Sequence, residues 1–367
     1  MSTSYNIFVS VTPGLEEALQ EEIHEHLPGH KLELRPGGIS LRGKQEELWR
    51  LSVLSRMAER VRVRIGRFKA RNFQELEAGL KRLPWAAYLA KDTSVHVDVS
   101  AKKSALYHSK AIAERAERVL ARPTPGPNEA QTRVWLRLRK DWVTLSVDAG
   151  GGLLHRRGWR QYVGRAPIRE TLAAACLRLS GIGEGQPLWD PFCGSGTFLI
   201  EAALSRSAIP CQLQRRFAFQ DWPTSSHDLF SVWQSELPKG ALCEPMFWGS
   251  DICGQTLEGA KANAERAGVG ESCHWMQGDF TTHVNAIPEG AAVVSNLPYG
   301  KRLKGGKANK ALFRRFAELL ASRPDLGPVV VLNGSNHFVA ESALEWSKRA
   351  AFSNRGTPTQ LLALKSR

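Results

Sequence analysis

"LWDPFCGSGTFLIEAAL", Leu188 to Leu204, decides how the chain is read. A short apolar run ends on Asp190, a glycine turn follows at Gly194-Ser195-Gly196, and a helix opens near Thr197. Glycines in such a turn let the backbone pass close to a ligand at the helix N-terminus. A phosphate-binding loop needs GxxxxGK[ST], and no lysine follows here; a dinucleotide fingerprint needs GxGxxG, and only GxG is present. What stands in front of the turn is an acid. It disfavours a pyrophosphate and favours a cationic ligand, such as an amino-acid ammonium beside a sulfonium. That chemistry points to S-adenosylmethionine.

Outward from this turn, the segment from about His155 alternates strand and helix patterns as α/β proteins do. The runs "QPLWD", "PMFWGSD", "CHWMQGD", "AAVVSN" and "PVVVLN" read as strands. Apolar strands with polar ends suit a mostly parallel sheet that binds ligands at its carboxyl edge. Asp251 ends the second strand, where a carboxylate accepts from both hydroxyls of a ribose. Asp279 follows the third, placed to accept from an adenine 6-amino group, with Phe280 against the ring. Singly each Asp is a helix cap or a turn residue; in order, each at its own strand end, they form a set.

The fourth strand runs into Asn296-Leu297-Pro298-Tyr299. An exocyclic amine of a nucleobase is a poor nucleophile, because its lone pair is delocalised into the ring. Acceptors on its two hydrogens orient the nitrogen, and the Asn296 side chain and the Leu297 carbonyl are candidates, with Pro298 fixing the chain direction. Tyr299 offers a face to a base extruded from its helix. Lys301 and Arg302 then lie where flanking phosphates would, with Gly305-Gly306 as a mobile joint.

Composition fits a nucleic-acid partner. Lys+Arg 50 against Asp+Glu 36 gives a net +14, a balance that favours a polyanion. No stretch approaches the roughly 20 apolar residues of a membrane helix. The N-terminus has no basic segment followed by an apolar one, so it is not a secretory signal. Six cysteines without CxxC pairs or His partners indicate reduced thiols in the cytoplasm and no metal site. Ahead of the α/β region two zones are expected. Residues 1–66 carry a β-α-β-β-α-β order, the pattern of a ferredoxin-like unit, with Thr12 as the cap of its first helix. Residues 67–154 alternate helix and strand around a turn at "RPTPGPNEA". In "TRVWLRLRK", Arg133, Arg137 and Arg139 share one strand face, opposite Val134, Leu136 and Leu138. With Lys102 and Lys103 they are candidate phosphate contacts. Residues 205–244 read as an insertion with some helix at "HDLFSVWQSEL".

DPFCGSGT, Asp251, Asp279 and NLPYG, in that order, resemble class I S-adenosylmethionine-dependent methyltransferases of the (N/D)PP(Y/F) type. "LHRRGWRQYVGRAPIRETLAAACL" resembles the segment before the glycine motif in THUMP-domain guanine-N2 RNA methyltransferases, and the likeness covers essentially the whole chain. The resemblance implies an α/β chain: a ferredoxin-like domain (1–66), a THUMP RNA-binding domain (67–154) and a Rossmann-like methyltransferase domain with a seven-stranded sheet (155–367). It implies a cytoplasmic monomer that methylates guanosine N2 in ribosomal or transfer RNA during RNA processing. Carried over by motif, Asp190, Pro191, Cys193, Gly194, Gly196 and Thr197 hold the methionine end of the cofactor. Asp251 and Ile252 take the ribose side, Asp279 and Phe280 the adenine, and Asn296 to Tyr299 the target base, with Asn296 also bordering the cofactor. The segment around Arg165, Pro167 and Thr171 closes over the cofactor. Leu297 replaces the usual first proline of the motif, which implies a less stiff loop. Two other readings stand beside this one: an adenine-N6 methyltransferase, since both targets are exocyclic amines, and a non-catalytic RNA-binding assembly protein.

Overall fold

The structure, a computed structural model, describes residues 4–365 apart from 91–92, 121–130, 165–166, 184, 213–214, 245, 299–305, 336 and 355. The turn expected at 122–130 therefore lies outside the described residues. The chain divides into two compact units: Met1–Ser10, Ile23–Leu154 and Gln212–Leu237 form the first, and Val11–Glu22, His155–Cys211 and Pro238–Arg367 the second.

In the N-terminal part, β1 (Tyr5–Ser10), α1 (Glu16–His26), β2 (Glu33–Arg35), β3 (Gly38–Gly43), α2 (Gln45–Leu54) and β4 (Arg60–Lys69) keep the expected order. The helix cap differs. Thr12 does not cap α1, because Gly14 stands at φ +97°, outside helical space, and the Leu15 amide closes a turn on the Thr12 carbonyl at 3.1 Å. A Cβ on Gly14 would also lie 2.4 Å from the Ala351 carbonyl oxygen. Then come α3 (Phe73–Lys81), β5 (Ser94–Lys102), α4 (Ser109–Leu120), β6 (Gln131–Arg139) and β7 (Trp142–Asp148). Asn72 starts α3 by accepting from the Glu75 amide at 2.9 Å.

These strands form one seven-stranded sheet, β2-β3-β1-β4-β7-β6-β5. The ferredoxin-like and THUMP halves share β4, which pairs with β1 through Arg60–Val63 and with β7 through Arg62–Lys69. Residue 66 thus falls inside a strand, at a bulge between Arg64 and Gly66. A Cβ on Gly66 would lie 2.2 Å from Leu83 Cδ2, so a larger residue at the bulge would displace that side chain. One sheet face is apolar: Ile7, Val9, Val61, Val134, Leu136 and Leu145 are wholly buried. The helices α2, α3 and α4 contact strands of this sheet. The other face carries the arginines of β4 and β6.

The second unit contains α5 (Glu170–Leu179), β8 (Leu188–Asp190), α6 (Thr197–Arg206), β9 (Phe247–Asp251), α8 (Gly254–Arg266), β10 (Cys273–Gln277) and β11 (Ala292–Asn296). After them come α9 (Gly306–Ser322), β12 (Val329–Asn333), α10 (Phe338–Ser342), β13 (Trp346–Asn354) and β14 (Thr357–Leu364). Strand order is β10-β9-β8-β11-β12-β14-β13. The first five strands are parallel, and β14 runs antiparallel to both neighbours. This is the mostly parallel, Rossmann-like sheet that was expected. Every residue of β12 is buried, which explains the apolar run Val329 to Leu332 ahead of its terminal Asn333.

The insertion after α6 belongs to the first unit from Gln212 to Leu237. Its helix, α7 (His227–Ser235), starts where Ser226 Oγ accepts from the Leu229 amide. Phe217, Phe219 and Phe230 are buried beside it, with Phe217 stacked on Phe219 at 5.1 Å. Phe230 meets Trp49 of α2 edge-on at 5.3 Å, and Trp222 meets Tyr88 at 5.0 Å. The insertion supplies aromatic core to the N-terminal unit.

Candidate active site

The order of the second sheet reverses between β8 and β11, and ligands of open α/β sheets bind at such a switch point. Asp190 ends β8 and Asn296 ends β11, side by side across it. Asp190 is 2% exposed; its Oδ1 accepts from Ser295 Oγ at 2.6 Å and from the Phe192 amide at 3.1 Å. Burial pushes its carboxyl up to about 7, against the lowering effect of those two hydrogen bonds, with the Asp251 charge adding to the rise. A buried acid in this state gains most from a cation brought against it.

The glycine turn follows. Gly194 (φ +53°) and Gly196 (φ +79°) both occupy left-handed space, and Gly196 caps α6. Their reasons differ. A Cβ on Gly196 would lie 2.8 Å from Trp275 Cη2, whereas one on Gly194 would meet nothing within 4 Å. Gly196 therefore serves packing, and Gly194 leaves open space on the turn. Pro191, Cys193 and Thr197 are buried beneath it, the Cys193 amide bonding the Ser250 carbonyl at 3.0 Å. Burial, with Asp190 and Asp251 nearby, raises the Cys193 thiol well above its usual value, so it stays neutral.

Asp251 ends β9 beside the turn. Its carboxylate accepts from the Cys253 amide at 2.9 Å and from the Gly194 amide, while partial burial lifts it above the ordinary carboxylate value. Next to it Ile252 is 75% exposed, an apolar side chain held out at a polar edge. Open space on Gly194, two aspartates and an uncovered isoleucine fit a nucleoside bearing an ammonium group.

Asp279 lies after β10. Thr281 bonds its Oδ1 through the amide (3.0 Å) and hydroxyl (2.7 Å), and Arg315 of α9 pairs with the same atom at 2.7 Å. Desolvation works the other way, yet these bonds hold the carboxyl below its usual value. Phe280 is 2% exposed and packs edge-on against Phe192 (5.1 Å) and Phe316 (5.9 Å), with the Arg315 guanidinium 5.5 Å from its ring centroid.

In the NLPY stretch, Leu297 is 1% exposed and belongs to a core cluster with Phe313, Phe316 and Phe338. Its amide bonds the Leu332 carbonyl at 3.2 Å. Burial anchors this position where the family's proline would stiffen it through its ring. Tyr299, Lys301, Arg302 and Gly305 lie outside the described residues, and Gly306 is the first residue of α9.

The segment before α5 is clamped by two ion pairs. Arg157 and Glu201 meet at 3.3 Å with both side chains wholly buried, and Arg160 meets Glu170 at 2.9 Å. Asn263 of α8, wholly buried, accepts from the Gln161 and Tyr162 amides (3.1 and 3.2 Å) and donates to the Tyr162 and Ser195 carbonyls (3.0 and 3.2 Å). It ties that segment to the glycine turn. Sequence reading missed it, although a polar residue three after buried Ala260 on a helix's apolar face is a legible anomaly. Thr171 is 2% exposed and its hydroxyl has no partner among the described residues; Arg165 lies outside them. No group of His, Cys, Asp or Glu that could hold a metal ion occurs among the described residues.

Residues 157–362 match the RMKL-like methyltransferase domain family (UPF0020). The chain belongs to this family. Residues 6–62 match the RlmL ferredoxin-like domain and 70–148 the THUMP domain. A Synechocystis sp. protein, slr0064, described as a candidate RNA methyltransferase, is 30% identical over 98% of this chain and 97% of its own. The crystal structure of SMU.472, a candidate methyltransferase complexed with SAH, is 26% identical, covers 100% of this chain and 99% of its own, and superposes with a TM-score of 0.90. A predicted N6-adenine-specific DNA methylase from Listeria monocytogenes is 28% identical, covers 100% and 97%, and has a TM-score of 0.87. The methyltransferase unit thus has family and fold in agreement. No described helix is long and apolar enough to cross a membrane.

Proposed function

We propose that this methyltransferase transfers a methyl group from S-adenosylmethionine to N2 of a guanosine in ribosomal or transfer RNA. One observation carries the reading: Ser295, next to Asn296, donates to Asp190 at 2.6 Å, which sets the amine-holding loop against the cofactor-holding turn. Asp190 and the glycine turn take the methionine end, and Asp251 the ribose. Asp279 accepts from the adenine amine, with Phe280 on the adenine side and Ile252 beside the ribose. S-adenosylmethionine, when bound, supplies an electrophilic methyl group. Asn296 Oδ1 and the Leu297 carbonyl accept the two amine hydrogens and aim the nitrogen. Asn296 is no general base, so the proton leaves to solvent after transfer. The THUMP match, the name of the Synechocystis relative and the basic sheet face support RNA as substrate, in a chain read as a cytoplasmic monomer.

An adenine-N6 target is the second reading, favoured by the name of the Listeria protein. One experiment separates the two. Incubated with labelled cofactor and RNA from a strain lacking its gene, the protein should yield N2-methylguanosine by mass spectrometry of nucleosides. N6-methyladenosine would transfer the proposal to adenine, and no label in any RNA would end it.

A further inference from the structure

One stripe of α8 grips the segment that precedes α5. Thr256, Gly259, Asn263 and Arg266 stand three, four and three residues apart, so they share a face of the helix. The Tyr162 hydroxyl lies 3.3 Å from Thr256 Oγ1, and its ring lies so close over Gly259 that a Cβ there would stand 2.2 Å from Tyr162 Cγ. Arg266 Nε donates to the Trp159 carbonyl at 2.9 Å. Asn263 stands at the centre of these contacts. Its Oδ1 accepts from the Gln161 and Tyr162 amides and from Arg266 Nη2 at 2.5 Å. Its Nδ2 donates to the Tyr162 carbonyl at 3.0 Å and to the Ser195 carbonyl at 3.2 Å.

A side-chain amide offers two hydrogens and one oxygen, and here all three are committed. One hydrogen goes to the strap of residues 159–164 and the other to the glycine turn, so a single planar group fixes the distance between two backbones. Gly164 carries the strap along the turn, where a Cβ on it would lie 3.8 Å from the Ser195 amide nitrogen. The turn is also held one residue earlier, because Asp251 accepts from the Gly194 amide. Asp251 stands three residues before α8. The turn is therefore fastened at Gly194 by the strand end and at Ser195 by the helix that follows it.

We infer that Asn263 is a positioning residue for the cofactor: it fastens the strap to the glycine turn, so that the two form one preorganised wall for the amino-acid end of S-adenosylmethionine. The inference rests on the reading that this turn takes the methionine end, and names what holds the wall in place. A wall that is loose before binding must be ordered at the moment of binding, and that cost is charged to the affinity. It falls on ligands that carry the amino-acid end and spares those that lack it. A merely structural asparagine makes no such distinction, because lost folding stability lowers the folded fraction for every ligand alike.

The test titrates the full-length protein by calorimetry with S-adenosylhomocysteine and with 5′-methylthioadenosine, which keeps the nucleoside and the sulfur but lacks the amino-acid end. Wild type should bind the first more tightly. Asn263→Ala should bind S-adenosylhomocysteine roughly tenfold more weakly, and 5′-methylthioadenosine within about twofold of wild type. Gly259→Ala is the second variant. It adds a helix-favouring methyl group and removes no hydrogen-bonding group, yet it takes the space of the Tyr162 ring. It should lower the preference for S-adenosylhomocysteine in the same direction, and it carries the test alone if Asn263→Ala does not fold. A preference unchanged in either folded variant, or both ligands weakened equally, overturns the inference. Wild type that prefers S-adenosylhomocysteine beside such variants keeps the reading of the turn and loses only the role of Asn263. Wild type that binds the two ligands equally removes the amino-acid end from the turn, and the reading and the inference fall together.

Discussion

Ser295 Oγ and Asp190 Oδ1 lie 2.6 Å apart in a wholly buried hydrogen bond that crosses the switch point of the sheet. The serine sits one residue before Asn296, and the aspartate four before Gly194. One short bond therefore ties the end of β11 to the end of β8, next to the two loops that the proposed methyl transfer brings together.

If Asp190 holds the cofactor ammonium as proposed, cofactor binding should be sensitive to pH. Folding raises its carboxyl from 3.8 to about 7, chiefly by burial. The stability linked to the protonated form is complete below about pH 4 and is lost as pH rises through about 7. A cofactor ammonium favours the ionised form, so binding expels the proton. Affinity for S-adenosylhomocysteine should weaken roughly tenfold per pH unit below 7 and level off above it. Calorimetry in buffers of different ionisation enthalpy should register close to one proton released near pH 6. Asp190→Asn should bind weakly with a flat pH profile; a flat profile in the wild type would remove Asp190 from the ammonium site.

Asn296 should separate binding from chemistry. In the proposed reading its side chain accepts from the target amine, so Asn296→Ala should lower kcat by on the order of 10²–10³. Cofactor affinity should stay within about twofold. Stopped-flow methyl transfer with calorimetric titration reads both, and substantial turnover by the variant would contradict the acceptor role.

What the sequence made legible was local. Asp190, Asp251 and Asn296 could be placed because an apolar run with a polar end is visible within a few residues. The glycine turn was equally plain, since left-handed backbone selects its own residue type. Contacts distant in sequence were hidden. Phe280 is buried because Phe192 and Phe316, from two other elements, close around it. The shared sheet depends on β4 pairing with β7, and nothing near residue 66 announces that partner. Residues 212–237 follow a methyltransferase helix, yet their phenylalanines fill the other unit's core.

The two glycines of the turn should fail in different ways. Gly196→Ala meets left-handed backbone and Trp275 at 2.8 Å, so it should cost about 2 kcal/mol of stability. Gly194→Ala carries the backbone cost alone, about 1 kcal/mol, but its methyl group enters the open space on the turn. It should weaken S-adenosylhomocysteine binding far more than it lowers the melting temperature. Equal ratios of the two effects in both variants would show that Gly194 does not adjoin the ligand.

Leu297 tests whether burial replaces the stiffness of a proline. Its side chain is 1% exposed among Phe313, Phe316 and Phe338, and truncation leaves a cavity beneath the amine-holding loop. Leu297→Ala should cost about 2–4 kcal/mol in urea unfolding. It should also lower kcat, because the carbonyl that orients the amine loses its anchor. Leu297→Pro removes the amide bonded to Leu332 (3.2 Å) and the buried side chain, while restricting the backbone directly. It should be less stable than wild type yet turn over faster than Leu297→Ala. If both variants lose stability equally and keep wild-type kcat, the anchor serves the core alone and the loop is positioned by other contacts.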